Sequence, residues 1–266
     1  MDVIRRNAVK VIGSGEETVM FAHGYGCDQN MWRHVVPAFS QDYRIVLFDY
    51  VGSGLSDTTA FDLARYSTLN GYARDVLEIL DAASPGRPVH FVGHSVSSII
   101  GALASIESQE KFASLTMIGP SPCYINDGDY VGGFERVDID GLLDTLESNH
   151  AAWSAMMAPL IMGHAEEPDL SRELEASFCR MDPFIAHQFA RVTFLSDNRA
   201  DLPRVSTRTL ILQCKEDAVA GQAVGQYVHH RIKNSEFVVM EATGHCPHMS
   251  EPGEVIQRVR QFLDEF

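Results

Sequence analysis

A serine hydroxyl attacks a carbonyl only when a base stands ready to take its proton. One serine in this 266-residue chain sits where such chemistry is expected. In Val89-His90-Phe91-Val92-Gly93-His94-Ser95-Val96-Ser97-Ser98-Ile99-Ile100, an apolar run ends in Gly-His-Ser-Val-Ser, and helical spacing follows at Ile99, Ile100, Leu103 and Ile106. A tight strand-to-helix turn of this kind lifts a nucleophile to the top of a sheet, and small neighbours are needed because the backbones come close. Position 97 is Ser where the G-x-S-x-G pattern has Gly, a departure of one small side chain. The N–H groups opening the new helix favour negative charge at the same place.

Of the 11 histidines, His245 is best placed to serve as base. It lies in Thr243-Gly244-His245-Cys246-Pro247-His248, after the last expected strand and before the last expected helix. Gly244 frees the backbone just ahead of it; His248 is the local rival, and His94 points away if the turn runs as expected. A carboxylate must hold the imidazole's tautomer. Asp217 closes Lys215-Glu216-Asp217 after the penultimate strand and is preferred over Glu216, which lies less deep in the loop. For a developing oxyanion, the backbone N–H groups of Tyr25, in the turn His23-Gly24-Tyr25-Gly26, and of Val96 are the expected donors. A phosphate-binding reading of that turn is weak, since neither Lys-Ser/Thr nor a completed G-x-G-x-x-G follows. The Gly-rich stretch Asp49–Asp57 reads as a structural turn.

The elements that must position these residues follow from hydrophobic periodicity. Near-continuous apolar runs at 18–22, 44–48, 89–92, 115–118, 209–212 and 237–240 read as strands buried on both faces of a parallel sheet. Amphipathic stretches lie between them, with Leu69, Tyr72, Val76, Leu77 and Leu80 on one face and Val255, Ile256, Val259, Phe262 and Leu263 on another. The alternation predicts a doubly wound α/β sheet that binds ligands at the carboxyl ends of its strands. It breaks between about Pro122 and Asp197, where helical spacing replaces strand signals. The stripe Ile139, Leu142, Leu143, Leu146 is followed by Trp153, Met156, Met157, Leu160, then Leu170, Leu174, Phe178, then 184–194, with Pro168 and Pro183 as helix starts. This block, 122–197, is expected to cap a core made of 1–121 and 198–266.

Composition limits the alternatives. Hydrophobic residues make up 45% of the chain, enough for a full core, and 21 Lys plus Arg against 36 Asp plus Glu give a formal charge of -15. That balance argues against nucleic acid and anionic membrane surfaces as partners. No apolar run reaches the roughly 20 residues needed to cross a bilayer, and no secretory signal is visible at the N-terminus. Five scattered cysteines, never in a C-x-x-C pair, suit reduced thiols in a cytoplasmic protein.

The order Ser95, Asp217, His245 is the chain order of α/β-hydrolases. Several motifs together resemble the RsbQ family of bacterial stress-signalling hydrolases, to which the plant karrikin and strigolactone receptors are similar. They are His-Gly-Tyr-Gly-Cys-Asp-Gln, Phe-Asp-Tyr-Val-Gly-Ser-Gly, Gly-His-Ser-Val-Ser, Gly-Pro-Ser-Pro-Cys-Tyr (119–124), Gly-Gly-Phe-Glu (132–135), Phe-Leu-Ser-Asp (194–197) and Gly-His-Cys-Pro-His-Met-Ser (244–250). The likeness runs from Val9 to the C-terminus. It implies an α/β-hydrolase fold with a four-helix, V-shaped cap over a small apolar pocket, lined by Tyr25, Phe134, Trp153, Met157, Phe194 and Val219. Ser at position 97 is also what the plant receptors show.

The resemblance leaves two function classes open. One is a serine hydrolase of a small hydrophobic ester, lactone or butenolide, needing no metal or organic cofactor. The other is a ligand-responsive signalling protein, with slow hydrolysis as its trigger and a signalling phosphatase as its partner. Fold alone does not choose between them. A dehalogenase would place Asp at position 95, where this chain has Ser.

Overall fold

The apolar runs become the strands of a single seven-stranded sheet in a computed structural model that describes residues 2–266. After a short helix α1 (Val3–Arg6), the strands are β1 (Lys10–Ile12), β2 (Thr18–Ala22), β3 (Arg44–Leu47), β4 (Val89–His94), β5 (Phe112–Ile118), β6 (Thr209–Glu216) and β7 (Ser235–Thr243). Their spatial order is β1-β3-β2-β4-β5-β6-β7; β1 runs antiparallel to β3 and every other pairing is parallel. Every residue of the central strands β2 and β4 is buried, as expected where helices cover both faces.

Helices α2 (Leu69–Ala83), α3 (Val96–Glu107), α8 (Gln222–Arg231), the short α9 (Pro247–Ser250) and α10 (Pro252–Leu263) complete the core. The stripe read from the sequence of α2 (Leu69, Tyr72, Val76, Leu77, Leu80) is the face it buries, and α10 buries Val255, Val259, Phe262 and Leu263. Between β5 and β6 come four consecutive helices, α4 (Arg136–Ser148), α5 (His150–Met162), α6 (Pro168–Arg180) and α7 (Pro183–Phe194).

Local chemistry sets the ends of these four helices. Glu135 and Asp138 form a reciprocal capping box on α4, and the Asn149 side chain accepts from Ala152 N at the start of α5. Pro168 and Pro183 open α6 and α7 in the first helical turn, and Asp182 accepts from Phe184 N and Ile185 N. α4 packs on α5 and α7, and α5 on α6. On α5 the sequence stripe is half right: Trp153 and Met157 are buried with Ile161 and Met162, whereas Met156 and Leu160 are about half exposed. The helix is apolar nearly all round, so periodicity alone does not say which face turns inward.

One edge feature escapes the sequence reading. β1 is three residues long with every residue exposed, and so shows no apolar run. Among the described residues no helix is long and apolar enough to cross a membrane.

Candidate active site

The carboxyl ends of β2, β4, β5, β6 and β7 converge on one point. β4 ends at His94, and Ser95 adopts φ 57° and ψ -124° before α3 begins at Val96. A non-glycine residue in that region stores roughly 1–3 kcal/mol of strain. The conformation holds because Ser95 N donates to Ile118 O of β5 at 2.8 Å while Ser98 N donates to Ser95 O at 2.9 Å. Val96 is the first residue of α3, so its N–H has no acceptor one turn back within the helix.

His245 reaches this serine. Its Nε2 lies 2.8 Å from Ser95 Oγ, and its Nδ1 lies 2.7 Å from Asp217 Oδ2. With Nδ1–H donating to the carboxylate, Nε2 is left bare to accept the serine proton. Asp217 is fixed in turn: its Oδ1 accepts from Val219 N at 2.8 Å and Ala220 N at 3.0 Å, and its side chain is fully buried. Glu216, the rival carboxylate, is exposed and contributes its backbone carbonyl to Gly244 N.

The loop bearing His245 is tied down on two sides. Gly244 has φ 76°, and a Cβ there would run into the Met162 carbonyl, so glycine is required. His245 N donates to Ile161 O at 2.8 Å, linking the loop to the end of α5. His94 Nε2 donates to the His245 carbonyl at 2.7 Å. Burial, with His248 and His245 close by, holds His94 far below the ordinary histidine pKa, so it stays neutral. His248 is wholly buried against Trp32 and His94, and burial depresses it to about 3; it makes no hydrogen bond and does not reach Ser95.

The turn after β2 closes in from the other side. A Cβ on Gly24 would lie 2.6 Å from His94 Nδ1 and 3.4 Å from the Ser95 Cβ, which shows how near this turn comes to the serine. Ser97 is one reason for the approach. Its hydroxyl donates to the His23 carbonyl and accepts from Tyr50 OH at 2.9 Å, bridging α3, the β2 turn and the β3 turn. His23 is locked neutral by burial, its Nδ1–H donating to Gly24 O at 2.8 Å and its Nε2 accepting from Tyr50 N at 3.1 Å. Asp49 accepts from Gln29 N and Leu55 N, which makes the 49–57 stretch a structural turn.

Ser95 and His245 open onto a small, tightly walled cavity beneath α5, α6 and α7. Its wall includes Tyr25, Phe194 and Val219 among the residues expected there. Phe134, Trp153 and Met157, also expected, do not bound it. Trp153 stands behind the wall, its ring 6.0 Å from that of Tyr25 and 5.3 Å from that of Phe178. Met157 is buried one turn before Ile161, which takes the wall position, and Phe134 pairs with Ile125 and packs against the core from outside. His94, expected to point away from Ser95, stands in the same wall, held there by its bond to the His245 carbonyl; Cys27, Tyr124, Ile161, Leu174, Phe178, Thr193 and Cys246 were not expected in the wall. Tyr124, in the 119–124 motif after β5, shares the cavity wall with Ser95, and burial pushes its phenol up to about 12.

Among the described residues, His164, Glu166 and Glu167 form the one group with metal-ligand spacing. The two carboxylates are exposed, and both His164 ring nitrogens are already engaged, by Glu166 Oε1 and Thr243 O at 3.0 Å each. Histidine placed between two acceptors satisfies both only when it carries both protons.

A family model described as the alpha/beta hydrolase family matches residues 19–258. The chain belongs to the α/β-hydrolase family. This hydrolase is 42% identical over 249 residues to the karrikin insensitive 2 receptor CA of Petunia hybrida, covering 93% of this chain and 92% of the receptor. It is 37% identical over 256 residues to the strigolactone esterase D14 of Arabidopsis thaliana, covering 96% of this chain and 95% of that protein. A solved hydrolase from Oleispira antarctica superposes with a TM-score of 0.97 at 45% identity, over 100% of this hydrolase and 97% of that chain.

Proposed function

We propose that this hydrolase cleaves a small hydrophobic ester or lactone through an acyl-enzyme on Ser95. The observation that carries the reading is the unbroken chain from Ser95 Oγ to His245 Nε2 and from His245 Nδ1 to Asp217 Oδ2, at 2.8 and 2.7 Å. His245 takes the serine proton as Ser95 attacks the carbonyl, and Asp217 stabilises the imidazolium that forms. The N–H groups of Tyr25 and Val96 hold the oxyanion. His245 returns its proton to the leaving oxygen, then activates water to release the acid. The narrow, apolar wall favours small uncharged acyl and alkoxy groups. The free thiols of all five cysteines support a cytoplasmic site of action.

A second reading, a ligand-responsive signalling protein, is favoured by the relative named as a karrikin insensitive receptor. Turnover of p-nitrophenyl esters and butenolides separates the two. A rate near ~10 per second supports metabolic hydrolysis, and one a thousandfold slower supports a sensor.

The site is tested by intact-mass labelling with a fluorophosphonate. Wild type should gain one adduct, while Ser95→Ala gains none and His245→Ala labels at least about a hundredfold more slowly. Equal labelling of all three proteins would end the assignment.

A further inference from the structure

We propose that Thr193 forms a second recognition point in the cavity, binding an oxygen acceptor on the substrate beyond the scissile carboxyl group. The proposal rests on the hydrolase reading above and names the kind of ester or lactone it favours. Thr193 lies on α7, is 2% exposed and belongs to the cavity wall. Its Oγ1 is buried and has no hydrogen-bond partner.

That isolation is not what a helical threonine or serine does by default, since its hydroxyl can bond the carbonyl one turn back. Neighbouring helices of the same block make that bond: Thr145 Oγ1 donates to Gly141 O, and Ser154 Oγ to His150 O, both at 2.8 Å. Thr193 forgoes it. A buried hydroxyl left without a partner is unfavourable, and native proteins keep few of them.

Most other polar side chains of the wall have a partner or stand at the serine. Tyr25 OH donates to Ala186 O, Ser95 and His245 bind each other, and Tyr124 shares the wall next to the reacting end with Ser95. Among the described residues, two residues of this wall carry an unpartnered buried side-chain atom: His94, whose Nδ1 faces Gly24, and Thr193, through Oγ1. The surroundings are otherwise apolar, through Ile161, Leu174, Phe178, Phe194 and Val219. A lone donor in such walls fixes orientation and selects for an acceptor at one place on the ligand. The substrate class is thus an ester or lactone with an additional ether, ring or carbonyl oxygen.

The test pairs p-nitrophenyl alkanoates with isosteres in which one chain methylene is an ether oxygen: pentanoate with 3-methoxypropanoate, and hexanoate with 4-methoxybutanoate. The readout is the ratio of kcat/KM for the oxygen-bearing ester to that for its partner. Thr193→Val should lower this ratio about tenfold for at least one pair, and Thr193→Ser should keep it. Melting temperature is the second readout: the free Thr193→Val protein should melt higher, because a methyl replaces the unmet hydroxyl. A purely structural hydroxyl predicts a lower melting temperature and an unchanged ratio, and that result overturns the proposal.

The same pairs are also bound to Ser95→Ala with and without Thr193→Val, read as ligand-induced thermal shifts. A binding contrast without wild-type turnover sinks the hydrolase reading and keeps the subsite. Turnover or binding with no contrast in any pair sinks the subsite and keeps the hydrolase reading.

Discussion

At the scale of single residues, Ser97 shows why a motif departure need not be a defect. Where a glycine would leave the strand-to-helix turn to pack unaided, the Ser97 hydroxyl binds His23 O and Tyr50 OH and so anchors the turn carrying Tyr25. Ser97→Ala should cost about 1–3 kcal/mol of stability, because Tyr50 OH loses its buried acceptor. It should also lower kcat about tenfold by letting the proposed oxyanion donors drift. Chemical denaturation and ester kinetics on the same protein check both numbers, and a fully active variant would remove Ser97 from this role. The residues of the serine–histidine–aspartate chain were legible because each ends or follows a strand at a motif with few rivals. Tyr124 and Thr193 were not. A tyrosine after Gly-Pro-Ser-Pro-Cys and a threonine within a helix look alike whether they face a cavity or a core.

At the scale of elements, the link between α5 and the loop after β7 decides how the base is held. His164, just beyond α5, grips Thr243 O with one ring nitrogen and Glu166 with the other. Burial works against its charge, but the Thr243 carbonyl and the Glu166 and Glu167 carboxylates outweigh it, so its pKa stands above the ordinary 6.5. A histidine raised by folding stabilises fully below its unfolded pKa, and the benefit is lost as pH rises through the folded value. The melting temperature of wild type should therefore exceed that of His164→Gln most below pH 6.5, with the gap closing as the pH rises above that value. A gap that stays constant across that range would exclude the protonated clamp. The helices themselves were legible from spacing and from Pro168 and Pro183. The inward face of α5 was not, because Met156 and Leu160 are as apolar as the residues that packed. The expected pocket residues Trp153 and Met157 fell one layer deep for the same reason: side-chain depth is set by how four helices settle on each other, and no single stripe encodes it.

At the scale of the whole molecule, six of the seven strands and their parallel sheet were legible because buried parallel strands need unbroken apolar runs. The exposed three-residue β1 had no such run to offer. The charge of -15 acts over the entire surface and bears on what arrives at the site. An ester with an anionic acyl group should react more slowly than its neutral isostere at low salt, and the difference should shrink as ionic strength rises. Stopped-flow or steady-state rates from about 10 to 500 mM salt would measure it, over which the screening length falls severalfold. A salt-independent ratio would mean the field does not reach the entrance.

The amide of His245 hangs from the carbonyl of Ile161, at the end of a helix that roofs the cavity. In the proposed reaction doorway and engine would share a part: lifting that helix to admit a molecule would pull on the backbone of the residue assigned as base. Water entering with the guest would then meet a serine with no acceptor for its proton.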